Sequence, residues 1–222
     1  MSTYRIFDAN RASRDFSTQF EDFHRFLAAD WIITLVGTTP TNALANVAGG
    51  ALLQTMAATD NSQATLQFAG SNAAVRTNYQ WVAGKKLQFT SRVQMSHAVQ
   101  SDMIAGFHSV STDPINTPPT DGIFFRKDDE TARLWFVARK AGVEVKLDTN
   151  VDVVAATNYD LEFYYDGSHS TISAFINKVR VGSLPTSALP TALMALSFGG
   201  QNGDANSRTF QWDFIGAQIE RS

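Results

Sequence analysis

Acid–base chemistry on a β-strand needs two carboxylates on the same side, so that both reach one substrate. The stretch with Glu144, Lys146 and Asp148 comes near this pattern, but Lys146 stands between the two acids. Glu162 and Tyr164 also share a parity. The spacing Glu-x-Asp-x-x-Glu, which would set an acid pair on one strand, does not occur. Both sets read first as solvated sheet faces. The four histidines, His24, His97, His108 and His169, form neither a His-x-His nor a His-Glu-x-x-His spacing. No Gly-x-Ser-x-Gly elbow is present to expose a nucleophile. No catalytic residue is therefore assigned. There is no cysteine, which removes disulfides and thiolate metal sites. The loops Asp113 to Asp121 and Asp204 to Asn206 carry oxygen donors suited to a hard cation. The same residues are ordinary turn formers, and no cofactor is called for.

Three aromatic residues stand apart. Trp135, Tyr164 and Phe175 fall on the parity opposite to the other apolar residues of their stretches. An apolar second face is covered by the fold itself, meets another protein, or stacks on sugar rings. All three outcomes stay open at this level.

The elements that would carry these residues are strands. Within NYDLEFYYDGSHSTISAFINKVRVGSL (158–184), Leu161, Phe163 and Tyr165 alternate with Glu162, Tyr164 and Asp166. Asp166-Gly167 breaks the pattern, and Ile172, Ala174 and Ile176 resume it. A turn at Asn177-Lys178 leads into a third short strand. Period-two alternation between turn residues marks antiparallel strands with one face buried. KKLQFTSRVQMS (85–96) alternates in the same way, with Leu87, Phe89, Val93 and Met95 on the apolar side. Met103 to Val110 is expected as its partner. Ala64 to Phe68 is expected as the return strand of 52–56, and three strands are expected between 123 and 147. Phe20, Phe23, Phe26 and Leu27 have helical spacing and predict one short helix or turn. Gly199 to Gly203 is expected to close a strand over 193–198, and 209–221 to form a last one. The predicted fold is an all-β, antiparallel two-sheet β-sandwich. Residues 1–19 are predicted to be a polar arm, with Tyr4, Arg5, Arg11 and Arg14 as contact residues, and 20–222 a single domain.

The chain has 222 residues, 44% of them hydrophobic, with 16 Phe, 4 Trp and 5 Tyr, which supports a substantial core. Its net charge is −3 and no basic block occurs, so direct nucleic-acid binding is not expected. No stretch is long and apolar enough to predict a membrane span. The first residues lack the apolar core of a secretory signal, which predicts synthesis in a cytoplasm.

The second half resembles the concanavalin A-like (laminin G-like) jelly rolls. The resemblance rests on YDLEFYYDGSHSTISAFINKVRVGSL, on the loop LPTSALP (184–190) and on the closing QWDFIGAQIERS. Asp166-Gly167 and Trp212-Asp213-Phe214-Ile215 match that pattern. Asn177-Lys178 departs from the usual Asn-Gly and must take positive φ on less tolerant residues. Gly49-Gly50-Ala51-Leu52 with Ala58 to Asn61, KKLQFTSRVQMS, and Thr120 to Lys127 look like jelly-roll proteins of tailed bacteriophages. That likeness implies a non-enzymatic virion protein that decorates or cements a capsid surface. Its implied partners are the major capsid protein, other virion proteins and further copies of itself, assembled in the host cytoplasm. The alternative is a lectin-like module that binds host glycan.

Overall fold

The structure is a computed structural model, and it describes residues 15–69 and 77–221. The strands in chain order are β1 (Phe16–Glu21), β2 (Trp31–Val36), β3 (Thr41–Leu44), β4 (Leu52–Thr55) and β5 (Gln63–Phe68). Then come β6 (Leu87–Met95), β7 (Ser101–His108), β8 (Gly122–Lys127), β9 (Arg133–Lys140) and β10 (Val143–Asp152). The last are β11 (Asn158–Tyr165), β12 (Thr171–Ile176), β13 (Val179–Pro185), β14 (Ala195–Asn202) and β15 (Thr209–Glu220). They form two antiparallel sheets. One runs β13-β12-β11-β6-β15-β4-β3, with β1 also on β15, and the other runs β10-β9-β8-β7-β14-β5-β2. The molecule is the expected all-β sandwich.

Each inward face is the apolar parity of its strand. Phe89 of β6 stacks on Phe163 of β11 with centroids 5.0 Å apart. Phe107 of the facing sheet meets Phe163 edge-on at 5.6 Å. A second aromatic group joins Trp31, Phe198 and Trp212. The buried Trp212 donates its indole N–H to Gln54 Oε1 at 2.7 Å, so its one polar atom is satisfied inside the core. Each such ring contributes roughly 2–3 kcal/mol through removal from water. The turn at Asn177-Lys178 takes φ of 51° and 66°, as its two-residue hairpin requires.

Several local expectations change. β5 does not return beside β4, and β7 does not pair with β6. In both cases the chain crosses to the other sheet. Alternation reports which face is buried, not which neighbour is bonded. Gly199 and Gly200 lie inside β14 and are buried rather than closing it. Their missing side chains admit Ala64 O and the Phe210 ring, either of which a Cβ would strike. The helical spacing at Phe20 to Leu27 is coincidental. Phe20 lies near the end of β1, Phe23 is wholly buried with φ of 53°, and a single 3-10 turn follows at Ala28–Asp30. The expected arm boundary at residue 19 falls within β1, whose Phe16–Gln19 pair with Ala217–Glu220 of β15.

Candidate functional site

A groove of about 220 Å³ opens on the outer face of the first sheet, lined by Tyr164, Asp166, His169, Thr171, Ser173, Phe175 and Arg180. Three neighbouring strands build it. Tyr164 of β11 lies opposite Ser173 of β12, and Phe175 of β12 lies opposite Arg180 of β13. Inward-facing Leu161, Phe163, Ile172 and Ala174 anchor these strands in the core, so the outward side chains stand on a fixed floor. Arg180 Nε donates to Ser173 Oγ at 3.3 Å.

The groove's far end is the turn after β11. Asp166 accepts backbone N–H groups from Ser168 at 2.9 Å and His169 at 3.1 Å, and faces His169 Nδ1 at 2.5 Å. Desolvation alone would raise the Asp166 carboxyl, but these bonds favour its charged form and bring it down to about 2. Asp166 is thus occupied in shaping the turn. Beside the groove, Glu162 accepts from Gln88 Nε2 at 3.1 Å. Burial raises its carboxyl above the usual range.

One feature of this face has no counterpart in the sequence expectations. Between Trp212 and Phe214 the pairing of β15 with β6 shifts, so Asp213 and Phe214 both lie at Arg92. Arg92 bonds Asp160 through two nitrogens and Asp213 at 3.1 Å, with its guanidinium 5.5 Å from the Phe214 ring. Asp160 sits two residues before Glu162 on the same face, a spacing that could have been read from the sequence. Its pairing to Arg92 needed the register.

The three singled-out aromatics do not form one surface. Tyr164 and Phe175 share the groove. Trp135 lies on the outer face of the other sheet, where Lys146 Nζ stands 4.3 Å over its ring. On that face Glu144 is gripped by Arg126 at 2.8 Å and Arg139 at 2.9 Å, and Asp148 by Arg133 at 2.7 Å. Desolvation pushes the Glu144 carboxyl up, but the two guanidiniums outweigh it and hold the group below its ordinary range. The loop Asp113 to Asp121 brings Ile115 onto a small apolar patch of Ile104, Phe124 and Val137. Beside it, Gln67 Nε2 donates to Ser197 Oγ at 3.1 Å, and the wholly buried His108 bonds Ser109 O through Nδ1 at 2.8 Å.

Tyr4, Arg5, Arg11 and Arg14 lie outside the described residues. Asp113 caps its own turn at Asn116, and Asp204 is paired with Arg208 and Asn206. Among the described residues no three His, Asp or Glu side chains converge to hold a metal ion.

No family model and no curated protein matches the chain. Solved structures do. The carbohydrate recognition domain of Emp47p aligns over 97% of this chain and 100% of its own, with TM-score 0.65 and 12% identity. The fold is a concanavalin A-like jelly roll. An endo-1,3-β-glucanase from Streptomyces sioyaensis aligns over 95% of this jelly roll and 98% of its own chain, with TM-score 0.64 and 12% identity. A carbohydrate esterase of the Shiga toxin-encoding bacteriophage phi24B aligns over 86% and 90%, with TM-score 0.52 and 16% identity. At these identities what is shared is the jelly-roll architecture.

Proposed function

We propose that this jelly roll is a non-enzymatic, lectin-like recognition module whose groove on β11, β12 and β13 holds a segment of a saccharide chain. The observation that carries the reading is the groove itself. Two aromatic rings, the hydroxyls of Ser173 and Thr171 and a guanidinium line it together. Rings supply flat apolar contact for sugar C–H faces, and hydroxyls and the guanidinium supply directional hydrogen bonds. The fold neighbours that bind or process carbohydrate support the same substrate class. Binding without bond cleavage suits the carboxylates of both outer faces. Asp160, Glu144 and Asp148 are paired with arginines, and Asp166 is engaged in a turn. The test is binding of the purified protein to an array of polysaccharide fragments. Retention of several members, without release of reducing ends, supports the reading. Binding of none removes it.

A second reading draws on the stretches Gly49–Leu52 and Thr120–Lys127, which look like those of bacteriophage jelly-roll proteins, and on the phage esterase among the fold neighbours. In it the protein sits at the capsid surface, contacting the major capsid protein and copies of itself, and many weak contacts add through multivalency. Detection in purified particles at high copy number by mass spectrometry would support that location. Absence from particles would end it. The two readings are compatible, since a virion-borne module can also bind glycan.

A further inference from the structure

On β13 strict alternation would send Arg180 into the core. Leu184 is buried opposite Ile172, and Gly182 lies opposite Ala174, so both face inward, and two residues further back is Arg180. The register shifts at that point. Ala174 pairs with Gly182, but the next residue, Phe175, pairs with Arg180. The extra residue, Val181, packs against the core in Arg180's stead. Gly182 beside the bulge takes a φ of 153°, a conformation that a residue with a side chain would hold only under strain. Bulges of this kind turn a side chain to the other face of a sheet. Here the side chain turned outward is the arginine that lines the groove.

Once outward, Arg180 is held by one edge. Its Nε is engaged by Ser173 Oγ at 3.3 Å, and Arg180 forms no ion pair among the described residues. The groove's acid, Asp166, is committed to Ser168 and His169, and Glu162 to Gln88. A guanidinium fixed through Nε presents its two terminal nitrogens as a planar fork, which matches a carboxylate in bidentate geometry. We propose that the groove is built for an acidic saccharide, with the carboxylate of a uronic acid-type sugar on the Arg180 fork and the sugar ring against Phe175 and Tyr164. This rests on the lectin-like reading and narrows it to one substrate class.

The test uses the full chain and two matched probes, an oligogalacturonate and the methyl ester of the same oligomer, followed by calorimetry in low and high salt. The acid is expected to bind at least tenfold more tightly than the ester, with the advantage shrinking as salt rises. Arg180→Gln, at an exposed position, is expected to abolish the acid's advantage, so that acid and ester bind the variant alike. Arg180→Lys is expected to keep only part of the preference, because an ammonium lacks the fork. Equal binding of acid and ester by the unaltered protein overturns the acidic-sugar assignment while the lectin-like reading stands. So does a preference that survives in Arg180→Gln. A sulfated oligomer serves as a third probe, and binding of it without binding of the carboxylate overturns the carboxylate assignment. Binding of no saccharide overturns the assignment and the lectin-like reading together.

Discussion

Tyr164 and Phe175 are diagonal neighbours on adjacent strands, two residues off register across β11 and β12, with Ser173 opposite Tyr164. Side chains so placed are about 7–8 Å apart and can engage one extended ligand together. Tyr164→Ala and Phe175→Ala should each weaken saccharide binding by about tenfold or more, near 1.4 kcal/mol. Trp135→Ala should leave binding unchanged, because its ring lies beneath Lys146 on the other sheet. Equal losses from all three variants would mean that the groove is not the site.

Two buried groups respond to acid in opposite senses. Burial lowers the His108 imidazole from 6.5 to about 4. The unfolded chain then holds more protons in that window, so stability present above pH 6.5 is lost as pH falls toward 4. Burial raises the Asp102 carboxyl from 3.8 to about 6. Here the folded chain holds more protons, so stability is gained as pH falls from 6 toward 4. Each effect is of the order of 3 kcal/mol across its window, and they largely cancel. Relative to the unaltered protein, His108→Gln should therefore gain thermal stability as pH is taken from about 7 to about 4.5, and Asp102→Asn should lose it. Parallel pH curves for the two variants would contradict this balance.

Lys127 is buried at the end of β8, with its amine donating to Val99 O at 2.8 Å and to the carbonyl and hydroxyl of Ser101. It ties the crossover between β6 and β7 to the second sheet. Lys127→Ala leaves those acceptors unpaired and opens a cavity. A loss of about 2–4 kcal/mol is expected in denaturant unfolding. A loss below about 0.5 kcal/mol would show that the crossover holds without it.

Gly106 lies in β7 where β8 passes closely, and a Cβ there would come within 2.4 Å of Ile123 O. That atom is backbone and cannot swing aside. Gly106→Ala should cost more than about 2 kcal/mol. Gly142→Ala is a useful contrast, because a Cβ at that position would have nothing within 4 Å of it and only the positive φ opposes the change. A smaller drop in melting temperature is expected there.

The sandwich was legible because alternation is a local signal. Leu87, Phe89, Val93 and Met95 fall inward as their parity predicts, and so do Leu161, Phe163 and Tyr165. Sheet membership was not legible, since nothing local distinguishes a hairpin from a crossing such as the one that takes β5 away from β4. The groove was half legible. Tyr164 and Phe175 stood out by parity, but Trp135 has the same signature on another sheet. Arg180 was hidden because the bulge before Gly182 breaks the rule by which its direction would be read. A glycine inside an alternating run was the available clue.

Phe16 lies opposite Glu220, and Arg221 donates its backbone N–H to Asp15 O at 2.7 Å. Thr18, Gln218, Gln88 and Tyr164 stand in one row across the sheet. Residues 15 and 221 therefore sit side by side at a single corner of the described structure. That corner is about 17 Å from Tyr164, three strand spacings across and three residues along. A label placed on Asp15 or Arg221 would report from that same neighbourhood, and an immobilised copy would best be tethered through the opposite pole.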